Sequence, residues 1–243
     1  MQKVSALHSW IGNLSPAIGE KVTKRMQPRH YDDGEAVYAL GEEGRELYMV
    51  EAGIIRFCNY TLSGKEIQIA EMRAGDCFGE LSLIDGLYRA NCAYAQGPTD
   101  LLILQKRDFD ILCAEHLEIP VQINKLLSHR LRMAYTLFED ASVLPMKDRL
   151  ARLLGRLGYS VGVAEPGADA DADGAIVLEG FTHEGLARML GSTREAITRE
   201  LKHLEKAALI QRRYGKILIP HIATLINSGD SLLGGEPIVP DYD

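Results

Sequence analysis

One stretch of the chain, FGELSLIDGLYRAN (Phe78 to Asn91), places an acid and a base among small and apolar residues. Glu80 directly follows a glycine, and Arg89 lies nine residues further on, across a polar turn. A buried carboxylate can accept a hydrogen bond from a hydroxyl, and a guanidinium can hold phosphate oxygens with two parallel hydrogen bonds. Backbone N–H groups exposed around Gly79 could add an anion-binding concavity. The stretch therefore predicts a site for an anionic ligand with a hydroxyl group, and a structural Glu80–Arg89 ion pair is the alternative.

A second stretch, FTHEGLARMLGSTREAITRELKHLEKAALIQRR, starts at Phe181 and has the pattern of two short amphipathic helices. Thr182 is expected to cap the first helix, and Ser192 is expected to cap the second. Gly191 lies between them, where a left-handed residue lets the chain turn sharply. The next segment, LIQRRYGKILIP, alternates apolar and polar residues around Gly215, which predicts a β-hairpin. Together these features indicate a helix-turn-helix followed by a wing.

The outer face of the second helix is polar and basic, and it carries Arg194, Glu195, Arg199 and Lys202. A helix that enters the major groove of DNA presents its first residues to the base edges. There an arginine can bind guanine O6 and N7, and a glutamate can accept from cytosine N4, each pair contributing about 1–3 kcal/mol of discrimination. Two alternatives stay open. Glu195 can instead complete a capping box with Ser192, and the whole face can be merely solvated.

The charge of the chain is unevenly distributed in a way that agrees with a DNA-binding segment. Formal net charge is −7 over 243 residues. Residues 181–216 hold eight Lys/Arg against four Glu, a net charge of +4, which leaves −11 on the rest of the chain. An acidic body with a basic segment indicates that only one part of the chain meets a polyanion.

The elements that must position these residues follow from periodicity. Between Tyr31 and Leu104, short apolar runs are separated by glycine turns about every ten residues, which predicts an antiparallel β barrel or sandwich. A long helix is predicted from Pro120 to Ser142, with a seven-residue apolar repeat that Arg130 alone interrupts. The members of the repeat are Ile123, Leu127, Ala134, Leu137, Ala141 and Leu144. A helix of this length with a narrow seam predicts a dimer interface, and packing on its own barrel is the alternative.

Outside these elements the sequence predicts less. An amphipathic helix is expected around Leu7 to Ile18, another over residues 147–159, a flexible loop over residues 160–174 and a loose tail after Asp230. The four cysteines lie at no metal-ligand spacing and are interpreted as small buried apolar residues: Cys58, Cys77, Cys92 and Cys113. No signal peptide or membrane-spanning run is apparent, so a cytoplasmic protein without membrane association is expected. The absence of a nucleophile–base pair, an HExxH spacing or a Walker loop argues against an enzyme.

The motif TREAITREL resembles the recognition helix of the cyclic-AMP receptor protein (CRP/FNR) family of bacterial transcription regulators. In that family an Arg-Glu pair and an Arg four residues after the Glu read a TGTGA-type half-site, and Arg194, Glu195 and Arg199 occupy those positions. Phe78–Asn91 resembles the family's phosphate-binding cassette, and five glycines match its glycine rhythm: Gly41, Gly53, Gly64, Gly75 and Gly79. The resemblance covers roughly Leu14 to Pro220.

The resemblance implies a set of site residues. Glu80 would accept from a ribose 2′-hydroxyl, Arg89 would bind the phosphate, and Arg130 would be the cationic partner that a buried Glu80 needs. The full implied effector set is Gly79, Glu80, Leu81, Arg89, Ala90, Arg130 and Tyr135. The implied DNA-contacting set is Thr182, Thr193, Arg194, Glu195, Arg199 and Lys202. Ala90 stands where the family has Ser or Thr, Tyr88 where proline is common, and Ala134-Tyr135 where a Thr-Ser pair meets adenine.

The fold class implied is α+β. It comprises a cyclic-nucleotide-binding β-roll of jelly-roll type (1–117), a long dimerisation helix (118–144), a winged helix-turn-helix (145–228) and a flexible tail (229–243). The protein is expected to be a homodimer that reads a TGTGA-like palindrome in double-stranded DNA, with recognition helices about 34 Å apart.

No permanent cofactor is expected. The effector expected first is cyclic AMP and second cyclic GMP; the alternatives are a cyclic dinucleotide, haem or no nucleotide at all. The segment Gly158–Gly174 lies where relatives touch RNA polymerase, which is therefore an expected partner.

Overall fold

The structure is a computed structural model that describes residues 9–165 and 175–228. The chain divides into two compact units, one within residues 5–131 (the β-roll unit) and one that begins at residue 132 (the winged-helix unit). In the described residues no helix is both long enough and apolar enough to cross a membrane. The predicted tail, residues 229–243, lies outside the described residues.

Eight short strands of the β-roll unit form two antiparallel sheets of four strands each. The first sheet holds, in spatial order, β1 (Gln27–Tyr31), β8 (Thr99–Gln105), β3 (Glu46–Ala52) and β6 (Cys77–Phe78). The second holds β2 (Ala36–Tyr38), β7 (Cys92–Ala95), β4 (Ile54–Tyr60) and β5 (Glu66–Arg73). Gly64 closes the β4–β5 hairpin at a φ of +80°, a conformation that a residue with a Cβ adopts only with strain. The predicted antiparallel β architecture is confirmed.

Aromatic rings fill the interior of this roll. Phe78 stacks on Tyr48 with ring centroids 4.9 Å apart, and it meets the edge of Phe57 at 5.3 Å. Tyr38 packs on both Tyr48 and Phe78, at 5.9 and 6.2 Å. Offset and edge-to-face ring pairs of this kind each add about 0.5–1.5 kcal/mol beyond the area they bury. The roll is therefore a packed core around the cassette.

Helices cover one end of the roll and form a second core with it. In chain order they are α1 (Pro16–Thr23), α2 (Glu80–Asp85), α3 (Lys106–Glu115) and α4 (Glu118–Val143), with a 3₁₀ turn at Ile11–Asn13 before α1. Trp10 is 1% exposed and packs edge-on against Phe109, while Ile119 and Ile123 of α4 are buried in the same cluster. Leu7, at the start of the predicted amphipathic helix, lies outside the described residues. The rest of that segment is a 3₁₀ turn followed by a helix that extends to Thr23.

The long helix α4 begins two residues before Pro120 and ends one residue after Ser142. Its first turns pack within the β-roll unit through Ile119, Ile123 and Leu126, which agrees in part with packing on its own barrel. Its later turns instead leave large apolar side chains exposed at a helical i, i+4, i+7 spacing. These are Leu131, Tyr135 and Phe138, at 52%, 59% and 72% exposure. Of the predicted repeat, Ala134, Leu137 and Ala141 are exposed on these later turns, whereas Ile123 and Leu144 are buried.

The winged-helix unit combines helices with a four-stranded sheet in the order β11–β12–β10–β9. Its helices are α5 (Met146–Val161), α6 (His183–Met189), α7 (Arg194–Lys206) and α8 (Ile222–Ile226). Its strands are β9 (Val163–Ala164), β10 (Ile176–Glu179), β11 (Gln211–Arg213) and β12 (Lys216–Ile219). The β11–β12 hairpin turns at Gly215, at a φ of +68°, which is the wing that the sequence predicts.

A buried carboxylate connects α4 with α5. Asp140, near the end of α4, is 3% exposed and accepts from Arg152 and Arg156 of α5, both at 2.8 Å, so it ties the two helices together. The loop predicted over residues 160–174 is wrong at its start, because Ser160 and Val161 complete α5 and Val163–Ala164 form β9. Its centre, residues 166–174, lies outside the described residues.

Candidate effector site and nucleic-acid interface

The cassette is shaped by two glycines with left-handed backbone. Gly79 follows β6 at a φ of +89° and precedes α2, and Gly86 ends α2 at a φ of +72°. A Cβ on Gly79 would lie 3.0 Å from both Nη1 of Arg89 and the carbonyl oxygen of Glu46. Glycine is therefore required twice at position 79, by its backbone angle and by the close approach of Arg89.

Glu80, the first residue of α2, is 1% exposed. Its Oε1 accepts from Nη1 of Arg130, and Nη2 of Arg130 donates to the carbonyl oxygen of Cys77 at 2.7 Å. This is the pairing that the resemblance implies, and it explains why a charge interrupts the apolar repeat of α4. The alternative Glu80–Arg89 ion pair is not formed among the described residues.

Arg89 is also buried, at 5% exposure, but its partners are neutral. Nη1 donates to the Gly79 carbonyl at 2.8 Å and Nη2 to the Glu46 carbonyl at 2.7 Å. The guanidinium lies 4.3 Å from the ring centroid of Tyr38 and 5.7 Å from that of Tyr48. Burial raises the pKa of both tyrosines, so the phenols stay neutral and their ring faces attract the cation. The fold thus holds Arg89 with its charge inside the cassette.

Three buried atoms at this site have no hydrogen-bond partner among the described residues. They are Oε2 of Glu80, Nε of Arg89 and Nε of Arg130. An unpaired buried polar atom costs about 1–3 kcal/mol. A ligand with a hydroxyl donor for Glu80 and an anionic acceptor for a guanidinium N–H would satisfy such atoms.

Within the β-roll unit, two other residues of the implied effector set, Leu81 and Ala90, lie outside this cluster. Leu81 is 48% exposed, and Ala90 is exposed with its carbonyl accepting from Asn59 at 3.2 Å. Tyr135, which belongs to the winged-helix unit, is 59% exposed.

Sequence reasoning missed Tyr38, Tyr48 and Gly44. A Cβ on Gly44 would lie 2.3 Å from the Cβ of Ser82 and 3.0 Å from Cζ of Arg89, so this glycine makes room for the arginine. The inward positions of AVYAL and ELYMV hold the two tyrosines, but alternation alone does not indicate which rings face a cation.

In the winged-helix unit the turn between α6 and α7 is built much as the sequence predicts. Thr182 caps α6 by accepting from the amide of Gly185 at 3.0 Å, and Gly191 adopts a φ of +62°. The cap of α7 is Thr193, which accepts from the amide of Ala196 at 3.2 Å. The prediction of Ser192 as the cap is therefore wrong by one residue. A capping box with Glu195 is excluded with it, because the third helical residue after Thr193 is Ala196.

Four members of the predicted DNA-contacting set lie on the exposed face of α7. Arg194, Glu195, Arg199 and Lys202 are exposed and line one shallow groove with Thr198. Glu195 and Arg194 make no side-chain hydrogen bond or ion pair with other described residues, so both side chains are available to a partner. Thr182 and Thr193 act as helix caps in this structure.

Neighbouring residues fix this face. Nε of Arg199 donates to Glu200 at 2.9 Å, which leaves its other nitrogens at the surface. Thr198 contacts Nδ1 of His183 at 2.8 Å, and burial, then the charges of Arg212 and Arg194, lower the pKa of that histidine. At the end of α7, Glu205 accepts from the backbone and the guanidinium of Arg212 in β11. The wing is thereby fixed to the helix.

The part of the chain that the structure describes contains no group of three or more His, Cys, Asp or Glu side chains that could hold a metal ion. Cys58, Cys77 and Cys92 are buried and Cys113 is partly exposed, with no disulfide among them.

Known domain families match parts of both units of the chain. The chain matches the cyclic nucleotide-binding domain over residues 28–116 and the Crp-like helix-turn-helix domain over residues 148–227. The CRP-like cAMP-activated global transcriptional regulator of Mycobacterium tuberculosis is 26% identical over 219 residues, which cover 90% of this chain and 95% of that protein. The cyclic AMP receptor protein of Thermus thermophilus is 28% identical over 87% of this chain and 92% of its own. Among solved structures, the c-di-GMP responsive global regulator CLP of Xanthomonas campestris superposes with a TM-score of 0.63 at 21% identity, over 85% of this chain and 99% of that one.

Proposed function

Because the chain belongs to the CRP/FNR family of transcription regulators, we propose that it is a homodimer that reads a TGTGA-like palindrome under the control of a cyclic nucleotide. Cyclic AMP is the effector proposed first, and cyclic GMP the second. DNA binding itself follows from the helix-turn-helix domain.

The observation that carries the nucleotide proposal is the set of buried atoms without partners in the cassette. Oε2 of Glu80 needs a donor, and Nε of Arg89 needs an acceptor. A cyclic nucleotide has both groups on one rigid ring system, a ribose 2′-hydroxyl and an anionic phosphate. The two relatives from Mycobacterium tuberculosis and Thermus thermophilus are both named for cyclic AMP, which supports placing that nucleotide first.

A dimer is supported by the exposed apolar face of α4. Leu131, Tyr135 and Phe138 lie on one side of the helix and would be buried by the same helix of a second copy. A twofold dimer would present two α7 helices to successive major grooves of a palindrome. RNA polymerase remains the partner expected for activation.

One observation favours a second candidate, a regulator of this family whose effector is not a cyclic mononucleotide. The terminal nitrogens of Arg89 are already bound to two backbone carbonyls, and Ala90 offers no hydroxyl for a phosphate. A cyclic dinucleotide is then the leading effector, because the regulator CLP of similar fold is described as c-di-GMP responsive. A haem effector and an effector-free regulator complete this class.

The experiment is isothermal calorimetry of the purified protein with cyclic AMP, cyclic GMP and c-di-GMP, followed by DNA binding with and without each nucleotide. We expect cyclic AMP to bind and to raise affinity for a TGTGA palindrome over a scrambled duplex. The matched control leaves the protein unchanged: 2′-deoxy cyclic AMP lacks the hydroxyl for Glu80 and should bind about tenfold more weakly or worse.

Equal affinity for the deoxy nucleotide would refute the role of Glu80. Binding of c-di-GMP alone would move the proposal to the second candidate. The absorbance spectrum of the protein as purified tests for haem, and a monomeric mass in solution would refute the dimer.

A further inference from the structure

Two of the four cysteines stand directly opposite each other in the β-roll. In the antiparallel pairing of β4 with β7, the register partner of Cys58 is Cys92. Both side chains are reduced and buried, Cys58 completely and Cys92 at 6% exposure. The two residues are far apart in the sequence, so only the strand pairing brings them together.

The two sulfurs also share a face of the sheet. In this register Arg56 pairs with Tyr94, and the Arg56 guanidinium lies 5.8 Å from the Tyr94 ring centroid, so these two side chains lie on the same side. Because side chains alternate along a strand, Cys58 and Cys92 lie on that side too. Consistent with this, the Cys58 thiol lies 3.6 Å from the hydroxyl oxygen of Tyr60, two residues further along β4.

Strand pairing places the two residues within the reach of a disulfide. Directly opposite residues of an antiparallel pair have Cα atoms about 4.5–5.5 Å apart, and disulfides span about 4.4–6.8 Å. Their Cβ atoms are about 4.5–5.5 Å apart, whereas a disulfide needs about 3.5–4.5 Å. Bond formation would therefore draw the strands together by about 1 Å. Opposite Phe57 and Cys58 the neighbouring strand β5 has one extra residue, Ile69, so the ladder between β4 and β5 is interrupted at this point.

We propose that Cys58 and Cys92 are a redox-active dithiol, which a small hydroperoxide converts to an intramolecular disulfide. Cys92 is the thiol that retains some exposure, and its sulfur accepts from the Leu40 amide at 3.3 Å. It attacks the peroxide O–O bond, takes one oxygen to become a sulfenic acid, and releases an alcohol, or water when the oxidant is hydrogen peroxide. Cys58, whose pKa is raised by burial, is the resolving thiol. Its sulfur displaces the hydroxyl group of the sulfenic acid, its proton leaves with that group as water, and the S–S bond forms.

The disulfide would connect the cassette to the β4–β5 hairpin. Cys92 follows Arg89 by three residues, and Asn59, the neighbour of Cys58, donates to the carbonyl of Ala90 at 3.2 Å. Oxidation would thus fix the strand that leaves the cassette arginine. The inference rests on strand register, the shared sheet face and the burial of the two thiols, and it is independent of which nucleotide the roll binds.

The chain supplies its own controls. Cys77 is buried in the separate cluster around Trp10, and Cys113 is partly exposed on α3. The full-length Cys113→Ser protein is treated with excess hydrogen peroxide at neutral pH, blocked with N-ethylmaleimide, and digested without reductant for mass spectrometry. A parallel sample is oxidised in urea, where chain folding no longer selects a pair.

We expect the native sample to lose two hydrogen atoms and to yield one linked peptide pair, Cys58 with Cys92, while Cys77 is alkylated. The urea sample should give all the pairings that the three remaining cysteines allow. In Cys58→Ser the sulfenic acid of Cys92 should be trapped by dimedone, and in Cys92→Ser no linked pair should form. The inference is overturned if the native protein gives the same mixture as the unfolded protein, or if both thiols stay fully alkylated after prolonged oxidation.

Discussion

In the β-roll unit, Glu80, Arg89 and Arg130 are held inside the protein by ionic and backbone contacts, whereas on α7 of the winged-helix unit Arg194, Glu195 and Lys202 point into solvent. The same residue types therefore have different energetic roles. A buried charge must be satisfied whether or not a ligand is present, so the cassette residues support the fold as well as the site. The exposed charges of α7 contribute little to folding and are available for recognition.

The largest effect is expected from Arg130→Leu. This change leaves the Glu80 carboxylate buried without its cation, which should cost about 3–5 kcal/mol of unfolding free energy. Urea denaturation followed by circular dichroism measures it. The double variant Glu80→Met with Arg130→Met removes both charges and should cost clearly less. A double variant as unstable as the single one would show that packing, and not charge, is lost.

A second prediction concerns another buried carboxyl of the roll. Burial raises the pKa of Asp76 to about 6, against the opposing hydrogen bond from the Arg73 amide. Because the folded state then binds the proton more tightly than the unfolded state, stability should fall as pH rises from about 4 to about 6. Asp76→Asn should remove a pH dependence of about 2–3 kcal/mol across that window, measured by urea denaturation at several pH values. Parallel pH profiles for both proteins would contradict the assignment.

Arg194→Ala tests the role of the exposed charges of α7 in recognition. Specific DNA binding should weaken by about 1–3 kcal/mol with relaxed preference at one base pair, measured by fluorescence anisotropy on specific and scrambled duplexes. Unfolding free energy should change by less than about 0.5 kcal/mol. Lys202→Ala is the matched control, expected to weaken both duplexes alike and to lower the salt slope by about one. Equal losses on both duplexes for Arg194→Ala would assign that residue to phosphate.

The smallest expected effect concerns the backbone of the cassette at Gly79. Gly79→Ala and Gly64→Ala both place a Cβ at a positive φ, which costs about 1–2 kcal/mol. Only at Gly79 does that atom meet others, Nη1 of Arg89 and the Glu46 carbonyl at 3.0 Å, while Gly64 has nothing within 4 Å. Gly79→Ala should therefore be the less stable protein by about 1 kcal/mol, measured by thermal unfolding. Equal losses of stability in the two variants would mean that the Arg89 side chain moves away from the new Cβ at no energetic cost.

Local patterns in the sequence were enough to predict an antiparallel β barrel or sandwich, the long helix and the winged helix-turn-helix, because strand alternation, glycine turns and caps act over a few residues. The Glu80–Arg130 pair was predicted only through family resemblance, since its partners are 50 residues apart. The contacts of Arg89 with Tyr38 and Tyr48, and the cap at Thr193 in place of Ser192, were not foreseen. The first depends on packing between distant strands, and the second on which of two adjacent hydroxyls the turn at Gly191 brings to the helix start.

The salt bridge between Glu205 and Arg212 has a consequence for the rate at which the protein finds its DNA site. It joins the last turn of α7 to β11 before any duplex arrives, so the hairpin need not lose conformational freedom during the encounter. The α7 helix and the hairpin then contact the DNA as one preformed unit. In Glu205→Ala, which lacks this salt bridge, the hairpin would have to become ordered after the first contact with DNA. Productive encounters with DNA would then become rarer, while the contacts of the helix itself stayed intact.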